Sequence, residues 1–241
     1  MIVAPTNAAF QADFFEALHK EADEPFSYST RAVERLRHEW TVREVAKAAQ
    51  GCAGDRVLDL GCSRGQLTAL LAQLPVQLTA IDVAPTALAA ANERVLRHSV
   101  SLAAGSVMAL PIACGQVDLV VAADGIYSWN LDAFERDRCL CEIHRVLSPS
   151  GRALFTEHTR PFRFPEFVQQ ITRNGFIIER VDYLYDRPWY QVESWFKAVQ
   201  GTAWVRAARN SERIARLLQR VGRMYGPRAS RHVCVLARRS D

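Results

Sequence analysis

The sequence predicts an α/β fold, a mostly parallel sheet with helices on both faces, on three observations. From residue 56 onward, short apolar runs alternate with longer helical ones. The run VDLVVAAD (117–124) is almost continuously apolar, as a strand buried on both faces must be. A glycine-containing turn joins the first such run directly to a helical stretch, the arrangement that opens a ligand crevice in doubly wound sheets.

Each element follows in order. RVLDLG (56–61) is a strand ending in the turn, and residues 64–74 are helical. QLTAID (77–82) is the second strand. Residues 85–97 open with proline in the first turn and run alanine-rich, as a helix does. SVSLAAG (99–105) is the third strand and VDLVVAAD the fourth. The amphipathic stretch 133–147 is expected to close at Ser148-Pro149-Ser150-Gly151, before a fifth strand RALFTEH (152–158). A helix over 165–174 ends at Gly175, a natural residue just past a helix end. FIIERVDYLYD (176–186) and RHVCVLARR (231–239) complete the sheet.

Residues 1–50, helical with a break at Asp23-Glu24-Pro25, and residues 188–229, holding two helical stretches, fall outside this pattern. They are expected to cover the ligand edge of a core formed by 51–187 and 230–241, with 188–229 acting as a helical lid in a single domain. Within the insertion Arg206, Arg209, Arg213, Arg216, Arg220 and Arg223 recur at intervals of three and four, predicting one basic helix face. Ile214, Leu217, Leu218, Val221 and Met224 lie opposite, as a face packed on the core.

Composition narrows the class. With 49% hydrophobic and 23% charged residues the chain is neither disordered nor fibrous. Its apolar runs are far shorter than the ~18 residues a spanning helix needs, and the first residues lack a basic stretch followed by an apolar one, so a cytoplasmic location is expected. The six cysteines show no CxxC and the six histidines no HxxxH, so no metal is expected. Residues 205–241 hold ten arginines against Glu212 and Asp241, which concentrates positive charge at the C-terminal end.

The chemistry should lie at strand ends. Asp59-Leu60-Gly61-Cys62-Ser63-Arg64-Gly65 offers two glycines four apart ahead of a helix N-terminus, and Asp82 ends the second strand where a carboxylate can accept from both ribose hydroxyls. These features predict a nucleoside ligand. A dinucleotide fingerprint, GxGxxG, is not met, since Ser63 and Gln66 stand at its second and third glycine positions. Asp59 suits an ammonium and a sulfonium better than two phosphates, so S-adenosylmethionine is expected in place of NAD.

VLDLGCSRGQLTALLA, AIDVAP, AAGSVMALPIACGQVDLVVAAD and EIHRVLSPSGRALFTEH, in this order over residues 56–158, resemble the motifs of class I S-adenosylmethionine-dependent methyltransferases. The resemblance implies a Rossmann-like seven-stranded sheet with an antiparallel last strand, and S-adenosylhomocysteine as product. It also implies a cofactor-binding set of Asp59, Gly61, Cys62, Ser63, Gly65, Asp82, Val83, Ser106, Val107 and Asp124. In that set Asp82 holds the ribose and Ser106 with the Val107 N–H faces adenine. Two positions depart from the family pattern, Ser63 where a second glycine is usual and Ser106 where an aspartate is usual. A finer similarity joins the chain to the small-molecule N-methyltransferases around nodulation protein S, on Glu24-Pro25-Phe26-Ser27-Tyr28-Ser29-Thr30, Glu34-Arg35-Leu36-Arg37-His38 and Asp124-Gly125-Ile126-Tyr127. There the usual acid is Glu and the usual second tyrosine is Ser128 here.

Methyl transfer is an in-line displacement in which alignment outweighs acid–base help. For an amine acceptor, Asp124 is expected to accept an N–H bond and orient the lone pair. For a hydroxyl, His158 or Glu157 would take the proton. Tyr127, Trp129 and Arg160 would shape the substrate wall, with Tyr127 also near the chemistry. The expected substrate is a small, sugar-like or natural-product molecule, and the arginine stripe adds the option of an anionic one. RNA is less favoured, because only Trp204 and Tyr225 could stack bases near the stripe. A non-catalytic nucleotide-binding protein of the same fold is the alternative of another class.

Overall fold

The computed structural model describes residues 8–49, 55–126, 131–197 and 203–240. Seven strands form one sheet: β1 Arg56–Leu60, β2 Gln77–Asp82, β3 Val100–Ala104, β4 Val117–Ala123, β5 Leu147–His158, β6 Phe176–Tyr183 and β7 His232–Arg239. Their spatial order is β3-β2-β1-β4-β5-β7-β6. The pairs from β3 to β5 are parallel, and β7 runs antiparallel between β5 and β6, as the resemblance implied.

Alternation along β4 shows why it is apolar throughout. Val120 and Ala122 join Leu58, Leu60, Leu140, Ile143, Phe155, Phe167 and Ile171 in one core cluster, while Leu119 and Val121 join Val57, Leu71, Leu78 and Leu154 in another. The first cluster lies under α5 (Ala133–Val146) and α6 (Phe164–Arg173), and the second under α2 (Ala32–Ala48) and α3 (Gln66–Leu71). α5 starts on a capping box, with the Asp132 carboxylate accepting from the Glu135 N–H and the Glu135 carboxylate accepting from the Asp132 N–H. α4 (Pro85–Val95) carries its proline in the first turn. α1 (Ala8–Glu21) packs on α4. A third cluster, Ala32, Val33, Leu36, Trp189 and Ala215, ties α2 to α7 (Arg187–Lys197) and α9 (Glu212–Met224).

Three expectations are corrected. The expected stop at Ser148-Pro149-Ser150-Gly151 is instead the start of β5, which takes over directly from α5 and pairs with β4 through a register shift between Val117 and Leu119. Among the described residues the insertion holds three α-helices, because Ser211 ends α8 (Ala203–Asn210) and caps α9 by accepting from the Ile214 N–H at 3.4 Å. The arginine run is therefore split between two helices. α9 also does not bury its large apolar face. Its closest packing comes from Ala215 and Gly222, whose Cβ position lies 2.5 Å from the Tyr185 carbonyl oxygen, while Leu217 and Met224 stay 58% and 83% exposed. Small residues let the helix approach its neighbours, Leu218 packs partly buried against the Trp189 cluster, and Ile214, Leu217, Val221 and Met224 stay exposed. No helix among the described residues is long and apolar enough to cross a membrane.

Candidate active site

β1 has β2 on one side and β4 on the other, so the chain reverses its direction of travel across the sheet there, and a crevice opens beyond the strand ends. The loop after β1 is held in left-handed backbone at Gly61, Ser63 and Gly65. Its Gly61 and Cys62 N–H groups donate to the Ile81 carbonyl at 2.8 and 3.0 Å, folding the loop onto β2. A Cβ on Gly65 would stand 3.0 Å from the Ala91 Cα, so the approach of α4 and the left-handed backbone both require this glycine. Asp82 stiffens the same loop, accepting from the Ser63 N–H at 2.7 Å and from the Ala84 N–H at 2.9 Å. Burial raises its pKa, and backbone donors oppose that rise.

Gly61, Ser63, Asp82, Val83, Ser106, Val107 and Asp124 line one cavity, whose remaining walls include Phe15, His19, Phe26 and Tyr28 from the N-terminal segment. Asp59 and Cys62 line a small adjoining one that shares Gly61, Ser63 and Tyr28 with it. Asp59 is 2% exposed, accepts from the Thr68 hydroxyl at 2.7 Å, and has its pKa pushed up to about 6 by burial, with the Asp82 charge adding to the effect.

A third cavity, on the far side of Asp124, is walled by Phe26, Tyr28, Glu34, Asp124, His158, Tyr190 and His232. Phe26, Tyr28 and Asp124 belong to both this chamber and the first cavity. Asp124 sits at positive φ, a strained backbone for a non-glycine residue, and its Oδ1 accepts from the His158 backbone N–H at 2.8 Å. Its Oδ2 lies 3.3 Å from Arg37 Nη2 and 3.4 Å from His232 Nε2. Burial alone would raise the Asp124 pKa, but the Arg37 and His232 charges override it and hold the carboxyl well below its ordinary range. His232 in turn bonds Asp186 through Nδ1. Burial disfavours its charge, yet the Asp186 and Asp124 carboxylates raise it to about 10. Arg37, 1% exposed, also donates to Glu34 at 3.0 Å, and the Tyr190 hydroxyl donates to Glu34 at 2.6 Å. Ligand atoms of Glu34, Asp124 and His232 lie within 4.8 Å of one another, but the Arg37 guanidinium already supplies the positive charge that cluster needs. His158 is different: burial and the charged His232 lower it to about 4, so its ring is neutral at physiological pH.

Glu157 does not reach this chamber. It is fully buried on the opposite face of β5, where it accepts from the Ile126 N–H at 2.8 Å and so anchors the segment after β4. The two-residue period of a strand points Glu157 and His158 to opposite faces of the sheet. Arg160 lines a neighbouring cavity and not the chamber. Tyr127 and Trp129 lie outside the described residues. Arg37, Asp186, Tyr190 and His232 were missed as site residues. Only the Glu34–Arg37 pair left a local trace, as opposite charges three apart on a helix.

Residues 57–151 match the family model described as a methyltransferase domain. The sheet order, with the site at its switch point, is the arrangement that the resemblance to class I, S-adenosylmethionine-dependent methyltransferases implied. The chain is 35% identical over 122 residues to a ubiquinone/menaquinone biosynthesis C-methyltransferase of Rubrivivax gelatinosus, covering 51% of this chain and 46% of that relative. To nodulation protein S of Sinorhizobium fredii it is 29% identical over 149 residues, 60% of this chain and 66% of the relative. The chain spans about half the length of the curated relatives it matches. Among solved structures, the N-methyltransferase NodS of Bradyrhizobium japonicum WM9 with S-adenosylhomocysteine superposes with a TM-score of 0.63 at 18% identity, covering 94% of this chain and 98% of that one. The [4+2]-cyclase SpnF superposes with a TM-score of 0.67 at 21% identity, covering 99% and 98%.

The residues present fit the cofactor of this class. The first cavity combines a buried carboxylate at the end of β2, a Ser106 hydroxyl, and apolar walls from Val83, Val107 and Phe15, the set an adenosine needs.

Proposed function

We propose that this chain transfers a methyl group from S-adenosylmethionine to an amine or hydroxyl of a small molecule held in the chamber beyond Asp124. The observation that carries the reading is the shared wall: a ligand in the first cavity and a second ligand in the chamber meet at Phe26, Tyr28 and Asp124. Bound S-adenosylmethionine supplies an electrophilic methyl on a sulfonium.

The chain's own residues supply the rest. In this reading Gly61, Ser63, Asp82, Val83, Ser106 and Val107 hold the cofactor, and Asp59 and Cys62 back its methionine end. Asp124, neutralised by Arg37 and His232, is a positioning residue that fixes the backbone of His158 and the wall between the two ligands. His158, neutral at physiological pH, takes the acceptor's proton. A base of low pKa suffices because alignment, and not proton transfer, sets most of the barrier to displacement. In this reading the described parts of residues 1–50 and 188–229 cover the site, which Phe26, Tyr28 and Tyr190 line from those segments.

Calorimetric titration with S-adenosylhomocysteine, and with NAD alongside, tests cofactor choice. Micromolar binding of the former alone is expected, and binding of NAD alone would overturn the reading. Because the same fold serves a [4+2]-cyclase, the second arm follows transfer of isotopically labelled methyl to amine and hydroxyl acceptors, with His158→Ala expected to lose at least tenfold in turnover.

A further inference from the structure

We propose that the cavity walled by Arg160, Arg187, Arg228 and Arg231 binds an anionic group, a carboxylate or a phosphate, on the acceptor molecule. The inference rests on the methyltransferase reading for what the acceptor is, and on the cavity itself for its charge.

The cavity measures about 800 Å³ and adjoins the reaction chamber through Tyr190, whose ring lines both. On the chamber side that ring stands 5.3 Å from the His158 ring and its hydroxyl is tied to Glu34, so the partition is held in place. Four arginines face the cavity and no carboxylate does. Among the described residues none of the four enters an ion pair, whereas Arg31, Arg35, Arg37, Arg209 and Arg216 on the neighbouring helices all do. The nearest acid in sequence, Asp186, is fully buried and committed to the His232 ring and the Arg231 backbone N–H. Arg187 gives one donor to the Arg228 carbonyl at 2.8 Å, which sets its direction and leaves its other donors free to bind.

Like charges gathered around one space repel, and an anion placed between them turns that repulsion into attraction. Planar guanidinium forks suit the paired oxygens of carboxylate and phosphate. The four come from separate places: the segment after β5, the start of α7, the 3-10 turn after α9 and the residue before β7. An acceptor would lodge its anionic end here and pass its reacting atom beyond Tyr190.

The test titrates the full chain, saturated with S-adenosylhomocysteine, with inorganic pyrophosphate and separately with citrate at constant ionic strength. Saturable binding of at least one probe is expected, and which one binds distinguishes phosphate from carboxylate. Arg160→Gln with Arg231→Gln should weaken that binding at least tenfold while leaving affinity for S-adenosylhomocysteine unchanged. The matching lysine pair should recover part of the loss. Arg213→Gln with Arg220→Gln, which removes the same charge from α9, should change nothing. Absence of saturable binding, retention of it in the Arg160/Arg231 variant, or an equal loss in the α9 variant overturns the proposal. Failure to bind S-adenosylhomocysteine would instead count against the methyltransferase reading, and anion binding would be read without it.

Discussion

Replacing Arg37 by methionine tests whether the buried charge network is what holds the chamber. Arg37 contacts Glu34 at 3.0 Å and Asp124 at 3.3 Å. At an effective dielectric of about 20, each contact is worth about 5 kcal/mol before desolvation is counted. Removing the arginine also relieves its own burial, which recovers several kcal/mol, so the net loss should be about 3–5 kcal/mol, the range for leaving a buried charge unpaired. Denaturant unfolding at pH 7.5 and at pH 4.5 measures it. In the wild type the lowered Asp124 pKa contributes stability that is present above the ordinary aspartate range and lost on acidification through the folded value. In the variant the Arg37 charge no longer opposes burial, and although His232 stays beside Asp124 and the Tyr190 hydroxyl beside Glu34, both carboxyls rise and protonation relieves them. The deficit should therefore be smaller at pH 4.5 than at pH 7.5. Adding Asp124→Asn should restore part of the loss, with a coupling of about 1.5 kcal/mol or more. A deficit below about 1 kcal/mol at pH 7.5, or one that does not shrink in acid, would refute the reasoning.

The remaining predictions follow from single contacts. His232, raised to about 10 from an ordinary 6.5, contributes stability that is full below pH 6.5 and lost as pH climbs through 10. Melting temperatures from pH 6 to pH 10.5 should fall along that window, and His232→Gln should flatten the slope. Gly65→Ala forces left-handed backbone on alanine and puts its Cβ 3.0 Å from Ala91 Cα, so unfolding measurements should show a loss of about 2–3 kcal/mol. Leu217→Lys, at a position 58% exposed, should leave stability within about 0.5 kcal/mol, where packing on the core would have predicted a loss several times larger.

Local pattern was enough for the sheet and for the loop after β1. β4 announces itself because a strand buried on both faces is apolar at every position, and the glycine-rich loop because left-handed turns restrict residue choice at neighbouring positions. The start of β5 was misread because Pro149 and Gly151 are also turn residues, and pairing with β4 overrode that preference. α9 was misread for a related reason: amphipathic spacing shows that a helix has an apolar face, but close approach by Ala215 and Gly222 decided which face is covered.

The sequence by itself determined the α/β class, the strand order along the chain and the cavity-lining residues after β1 and β2, since each depends on neighbours within a few positions. Only the tertiary structure decided that Arg37, Asp124, Asp186 and His232 share one buried network, that Glu157 turns away from the site while His158 lines it, and that four arginines from 160 to 231 face one cavity. The physical reason is the same in each case: charge acts through space, and residues far apart along the chain carry no local mark of the partner that folding brings to them.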